Sequence, residues 1–249
     1  MIVHPNNIEI VRDVHALFTK ELGETYEDPA LYTNHAGKTL SEDGYQVSII
    51  AKFDNGVKAA VQGAALAYRG EKEQVLKRGA GYFGLVEYLA VDKDVQGKHY
   101  GSKVLAAFEE VMKQMENGLP FEFMMVQAEE DQMGFFEKAG YKQLPVSLRY
   151  PCYEVDAEGE LTGKPEEFAW MIKLKGDRID DDVIEYRTLE KTLNSLGYWL
   201  SPDEEDFNTE KAFENVSAGV DEVMEEMYER IEEFPDGVSL KWFYERVWN

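Results

Sequence analysis

Residues 91–105 read VDKDVQGKHYGSKVL. Gly97 and Gly101 sit among Lys93, Lys98 and Lys103, where an apolar run gives way to an amphipathic one. A chain that leaves a strand, turns on glycine and enters a helix presents the first N–H groups of that helix without acceptors. Those donors and the helix dipole favour an anion by ~0.3–1 kcal/mol per charge, and by more where several N–H groups converge. The lysines add fixed positive charge in a chain whose formal net charge is -23. The chemistry this spacing supports is phosphate binding. This stretch lacks both the GxxxxGK[ST] loop of nucleoside triphosphate sites and the GxGxxG of dinucleotide folds.

Glu87 is the second chemical candidate. It lies in GYFGLVEYLAV (81–91) and shares strand alternation with Leu89 and Val91, which predicts the same facing for all three. A carboxylate on an otherwise apolar strand is desolvated, which suits it to take a proton near neutral pH. The alternative is a solvent-facing Glu on a half-exposed strand, and both readings stay open. His4, His15, His35 and His99 lack ligand spacing, so no metal site is expected. Cys152 is the single cysteine, which rules out an internal disulfide, reads as a structural thiol and makes a reducing compartment the default.

Several elements must position these residues. Ile8, Val11, Leu17, Phe18 and Leu22 recur at helical spacing over 6–22. Two β-rich runs over 44–70 flank Asp54-Asn55-Gly56, a hairpin signal because Asn-Gly accepts positive φ. The strand at 81–91 enters the glycine turn, and a helix from about Gly101 to Asn117 buries Val104, Leu105, Phe108, Val111 and Met112. A strand at 119–128, a short helix at 131–141 and strands in YKQLPVSLRY and EEFAWMIKLK follow. Strand-helix-strand units imply a partly parallel sheet, and the hairpin adds antiparallel pairs.

Beyond Lys175 acids outnumber bases three to one. Ile179, Val183, Tyr186, Leu189, Leu193, Leu196 and Leu200, then Val220 through Phe234, follow a helical pattern. SPDEED (201–206) reads as a helix start with Pro202 in the first turn. Trp242, Phe243, Tyr244 and Trp248 make the end too apolar for a solvated tail, so the extension is expected to pack on the core or on a second subunit. With 44% hydrophobic residues the chain can build a core, and 49 acids against 26 bases disfavour nucleic acid and anionic lipid as partners. No apolar run approaches the ~18 residues of a membrane span, and the N-terminus lacks signal-peptide character, so a cytoplasmic protein is expected.

The hexamer QGKHYG resembles the (Q/R)-x-x-G-x-(G/A) cofactor motif of the GNAT superfamily of N-acetyltransferases. Gln96 and Gly101 take its first and last places, and His99 stands for the middle glycine. EYLAVDKDVQGKHYGSKVLAAF is similar to the whole strand-loop-helix unit of that family, and GFFEKAGYK resembles its lYeklGF element. The resemblance implies that Gln96, Gly97, Lys98, His99, Tyr100, Gly101 and Ser102 hold the pyrophosphate of acetyl-coenzyme A. It implies that Leu89, Ala90 and Val91 meet the pantetheine and thioester, with the Leu89 N–H stabilising the oxyanion. Polyamine-type relatives carry a catalytic Glu where this chain has Glu87. Phe136, placed against the cofactor, stands where the family has an acidic Tyr, and Glu129 where it has Asn. Tyr88, Tyr100, Tyr141 or water are the substitutes.

The fold class expected is α/β (α+β), a GNAT-type mixed and partly parallel sheet flanked by helices, plus a C-terminal helical region. The organisation expected is an acetyltransferase domain at 1–175 and an acidic helical extension at 176–249. The function expected is direct acetyl transfer from acetyl-coenzyme A, without a metal, to a primary amine on a small cationic molecule or peptide. The alternative is a weak or inactive acyl-coenzyme A-binding module that interacts through its extension, and a homodimer is a further option. A DNA-base-modifying relative is disfavoured by charge.

Overall fold

The computed structural model describes residues 2–3, 8–23, 45–53, 56–69, 81–115, 119–146, 148–175, 183–204 and 207–240. Asp54 and Asn55 of the hairpin signal, Ile179, and the aromatic residues from Trp242 to Trp248 lie outside them. The chain forms two compact units, Met1–Ala67 with Lys77–Val126, and Tyr68–Leu76 with Gln127–Asn249.

The first unit carries β1 (Ile2–Val3), α1 (Ile8–Leu22), β2 (Tyr45–Phe53), β3 (Gly56–Ala67), β4 (Tyr82–Val91), α2 (Tyr100–Lys113) and most of β5 (Phe121–Ala128). β1 to β4 pair antiparallel in chain order, and β5 joins β4 in parallel. That mixed pairing is the one the sequence order predicts, since a hairpin yields antiparallel neighbours and a strand-helix-strand crossover yields parallel ones. Gly56, at φ +103, opens β3 as the Asn-Gly signal requires.

Helices cover both faces of this sheet. Val11, Val14, Leu17 and Phe18 of α1 pack with Ile50, Val57, Ala60 and Ala90. Leu22, expected on the same stripe, is exposed at the last turn. On the α2 side Phe108 lies close to Gly63, Met112 lies against Gly84, and the Tyr82 hydroxyl donates to the Met112 carbonyl at 2.6 Å. Phe108 is fully buried, worth about 2 kcal/mol by burial alone. α2 ends at Lys113, short of the expected Asn117, with the Gln114 N–H turned back to Glu110 and Val111.

The second unit holds α3 (Glu130–Lys138), β6 (Lys142–Gln143), β7 (Leu148–Tyr150), β8 (Glu166–Leu174), β9 (Val183–Ile184), α4 (Tyr186–Leu200), α5 (Glu210–Glu232) and β10 (Val238–Ser239). The single strand expected in YKQLPVSLRY is two short ones, β6 and β7, on either side of Pro145, which cannot donate to a ladder. Val183 lies in β9, not in a helix, and pairs with Ser239. α5 starts at Glu210, not in SPDEED, because the Thr209 side chain accepts from the Ala212 N–H at 3.1 Å and caps it there. The apolar stripes of α4 and α5 are buried as their periodicity predicts.

The described residues include five helices, one of them near the C-terminus, and strands that pair both parallel and antiparallel. No described helix is long and apolar enough to cross a membrane.

Candidate active site

β4 changes character halfway along. Against β3 it pairs Val91 with Ala59, Ala90 with Ala60, Leu89 with Val61 and Tyr88 with Gln62, and then Val86 with Gly63. Glu87 is the extra residue of a β-bulge, half-buried where the strand bends. The bulge interrupts the simple alternation by which the sequence groups Glu87 with Leu89 and Val91. The parallel ladder with β5 stops at the same place, on Val86 and Val126. Within this unit, residues 87–91 therefore have β3 along one edge and no ladder along the other.

The direction of the main-chain groups follows from one hydrogen bond. The Asp92 N–H donates to the Lys58 carbonyl at 2.9 Å. Antiparallel pairs alternate between bonded and non-bonded, so Ala90 and Tyr88 also face β3. The N–H and C=O groups of Leu89 and Val91 then point to the edge where the β5 ladder has ended. In keeping with this, the Val91 carbonyl is met from that side by the Gln96 side-chain amide, at 3.3 Å.

Asp92 opens the turn that follows. Its carboxylate accepts from the Asp94 N–H at 3.0 Å and caps a single 3-10 turn, Lys93–Val95. The N–H groups of Gln96 and Lys98 are engaged inside the turn, on Lys93 and Val95, each at 3.4 Å. Gly97 then takes φ +74, and His99 takes φ 62, ψ 20, the left-handed conformation. A non-glycine residue is uncommon there, although His tolerates it better than most. This is the place of the middle glycine in the hexamer, and the need for positive φ explains why glycine suits it. The imidazole of His99 is exposed.

α2 begins at Tyr100 with no capping side chain, and its first bonded amide is Lys103, which donates to the His99 carbonyl at 3.1 Å. The N–H groups of Tyr100, Gly101 and Ser102, and those of Gly97 and His99, have no acceptor among the described residues. Several donors thus stand at the positive end of a helix dipole, beside exposed Lys98 and Lys103. Tyr100 meets Phe53 edge-on at 5.0 Å, and the Lys103 ammonium lies 5.5 Å from its ring. An anion with more than one phosphate oxygen fits this donor set.

Below the turn lies a cluster that sequence reasoning missed. Asp92 is buried, with Oδ2 2.6 Å from Lys58 Nζ and 3.3 Å from Lys20 Nζ. The Lys58 hydrogen bond, followed by that from the Asp94 amide, lowers its carboxyl to a pKa of about 2. The Lys20 ammonium is pushed up, first by its hydrogen bond with Glu21. An Asp just ahead of a turn is a capping signal that could have drawn attention to this residue.

The chain matches the family model described as the acetyltransferase (GNAT) family over residues 11–141, just over half its length. The chain belongs to the GNAT family. Membership makes acetyl-coenzyme A the implied acyl donor, and the unbonded amides from Gly97 to Ser102 suit its diphosphate. Solved structures similar to this GNAT chain include a GNAT-family acetyltransferase from Streptococcus pneumoniae, 14% identical, covering 70% of this chain and 98% of that one with a TM-score of 0.45. Another is the ribosomal-protein-S18-alanine N-acetyltransferase of Escherichia coli, 11% identical, covering 72% and 97% with a TM-score of 0.44. A third is an aminoglycoside 6'-N-acetyltransferase complexed with coenzyme A, 12% identical, covering 72% and 98% with a TM-score of 0.45. No curated protein matches the chain.

Of the other candidate residues, Phe136, Tyr141, Glu129 and Cys152 lie in the second unit and Tyr88 in the first. Phe136, in the place of the family Tyr, is buried on α3, edge-on to Phe135 at 5.1 Å and to Tyr141 at 5.6 Å. Tyr141 is fully buried, with the Lys173 ammonium 5.6 Å from its ring. Glu129, in the place of Asn, is the N-cap residue of α3, and its own N–H donates to Gln132 Oε1 at 3.4 Å. Tyr88 packs on Phe18 of α1, 5.6 Å between rings. Cys152 is half-buried, its thiol 3.9 Å from the Glu154 carbonyl.

Proposed function

We propose that the chain is an N-acetyltransferase that moves an acetyl group from acetyl-coenzyme A directly to a primary amine. The observation that carries this reading is the continuity of two features. A bulged strand turns the main-chain groups of Leu89 and Val91 to an edge without a ladder, and the same strand runs into a turn of unbonded amides. A diphosphate at Gly97–Ser102 and an extended pantetheine arm along Leu89–Val91 are the two halves of one ligand.

In this reading the donor supplies the activated thioester carbonyl. The Leu89 N–H is the hydrogen-bond donor for the carbonyl oxygen as charge gathers there, a contribution worth about 10²–10³ in rate where such donors have been removed. Glu87, the bulge residue, takes the proton of the attacking ammonium. The amine nitrogen bonds to the acetyl carbon as the carbon–sulfur bond breaks; the thiolate takes a proton from Tyr88, Tyr100 or water, and the second proton of the acylated nitrogen passes to that same group and restores it. The acceptor is a cationic amine on a small molecule or peptide. The excess of 49 acids over 26 bases supports this choice, since an acidic surface concentrates cations.

Phe136 favours a second reading, in which the chain binds the acyl-coenzyme A but turns it over weakly. A buried phenyl ring cannot protonate a leaving thiolate. Calorimetry with acetyl-coenzyme A, followed by thiol release with a panel of amines, separates the two. Binding with release supports transfer, whereas binding without release across the panel supports the module. With an accepted amine in hand, Glu87→Gln is expected to lower kcat/KM by about 10²-fold or more across the pH profile. An unchanged profile excludes Glu87.

A further inference from the structure

We propose that Asp92 is a positioning residue for the diphosphate turn, a role that rests on the acetyl-coenzyme A reading above. Every polar atom of Asp92 is engaged. Its N–H donates to the Lys58 carbonyl at 2.9 Å and its C=O accepts from the Val95 N–H at 2.9 Å. Oδ1 accepts from the Asp94 N–H at 3.0 Å. Oδ2 receives the Lys58 ammonium at 2.6 Å and lies 3.3 Å from the Lys20 ammonium. One carboxylate, with 6% of its side chain exposed, therefore ties together α1, β3 and the 3-10 turn.

The position of the turn matters for a geometric reason. Only four residues, Lys93–Gln96, separate Asp92 from Gly97, where the unbonded amides begin. These amides belong to backbone that cannot change rotamer to follow a displaced ligand. A shift of about 1 Å in such a donor set is enough to cost an order of magnitude or more in the step it serves.

Charge alone predicts the opposite behaviour. An aspartate beside an anion site repels the anion, and neutralising it also releases two lysines. If Asp92 acted only through its charge, Asp92→Asn would tighten coenzyme A binding. If it positions the turn, the loss of the Lys58 and Lys20 ties outweighs that gain and binding weakens. The sign of the change therefore distinguishes the two roles.

The test measures calorimetric Kd for coenzyme A, kcat and KM for acetyl-coenzyme A with an accepted amine, and circular dichroism. It compares the full chain with Asp92→Asn and Asp92→Ala. The expected result is native helix content, a Kd and KM raised about tenfold or more in Asp92→Ala and less in Asp92→Asn, and a kcat at saturation within about threefold of the parent. A Kd equal to or tighter than that of the parent chain in a folded variant overturns the proposal. If Asp92→Ala does not fold, Asp92→Asn, which keeps an oxygen for the Asp94 amide, decides the question. Failure of the parent chain itself to bind coenzyme A removes the reading on which the proposal stands. That outcome differs from parent binding that the variants leave unchanged.

Discussion

Gln96 Nε2 donates to the carbonyl oxygen of Val91 at 3.3 Å, so the first residue of the hexamer is fastened to the last residue of β4. The bond meets a carbonyl that the bulged strand has turned away from β3, and it holds the glycine turn against that strand. An exposed hydrogen bond of this kind is worth about 0.5–1.5 kcal/mol, roughly a twofold to thirteenfold change in an equilibrium constant. Gln96→Ala is accordingly expected to raise KM for acetyl-coenzyme A within that range and to lower the melting temperature by no more than about 2–4 °C per kcal/mol lost. Steady-state kinetics and a melting curve check both parts.

His99 occupies the left-handed region, where a side chain costs about 1–2 kcal/mol that glycine does not. Part of that gain is offset by the added freedom of glycine in the unfolded chain. His99→Gly is expected to stabilise the protein by up to about 1 kcal/mol in urea unfolding. Because the imidazole is exposed, coenzyme A affinity is expected to hold or to improve.

Gly63 faces Val86 at the edge of the bulge, and a Cβ there would lie 2.0 Å from the Leu85 carbonyl oxygen and 2.9 Å from the Phe108 ring. Backbone cannot swing aside as a flexible side chain can. Gly63→Ala is expected to destabilise by about 1–3 kcal/mol or more, read as an earlier urea midpoint, with a larger loss of activity than an equally destabilising change elsewhere.

Asp92 also makes an acid prediction. Its folded pKa lies near 2, below the ordinary 3.8, so its contribution is complete above about pH 4 and fades as pH falls toward 2. The parent chain should therefore lose melting temperature faster than Asp92→Asn between pH 4 and 2. Parallel slopes across that window would contradict the assignment of the charge pair.

The C-terminal helices α4 and α5 are joined to the rest of their own unit by specific contacts. Ser195 and Asn194 of α4 bond the N–H and C=O of Arg69, whose guanidinium lies 3.4 Å from the Tyr198 ring. The Tyr153 hydroxyl donates to the Leu200 carbonyl at 2.5 Å, and Arg149 pairs with Glu226 at 3.2 Å. A chain ended at Lys175 also loses buried Leu193, Leu196, Val216 and Ile231, each worth about 1.5–3 kcal/mol. It is expected to melt without a cooperative transition for this unit, as followed by circular dichroism.

The parts of this site that were legible in the sequence are local. Gly97, the lysines and the amphipathic run after Gly101 act over a few residues, so a strand, a turn and a helix could be placed from them alone. The bulge could not be read that way. It exists only because Gly63 and Gln62 on β3 oppose Val86 and Tyr88, and nothing within β4 announces which residue is extra. The role of Asp92 is equally remote, because one of its lysines lies 34 residues earlier in the chain. The break between β6 and β7 was within reach, since Pro145 states it directly.

A diphosphate held by N–H groups is held by atoms that nearly every amino acid shares. If the diphosphate sits as proposed, alanine at Gly101 or Ser102 would leave both main-chain donors in place, and such a scan would understate the contact there. Proline, or an ester in place of one peptide link, deletes what alanine cannot. For the same reason many spellings of this turn are compatible with one grip, and divergence in its letters says little about whether the grip survives.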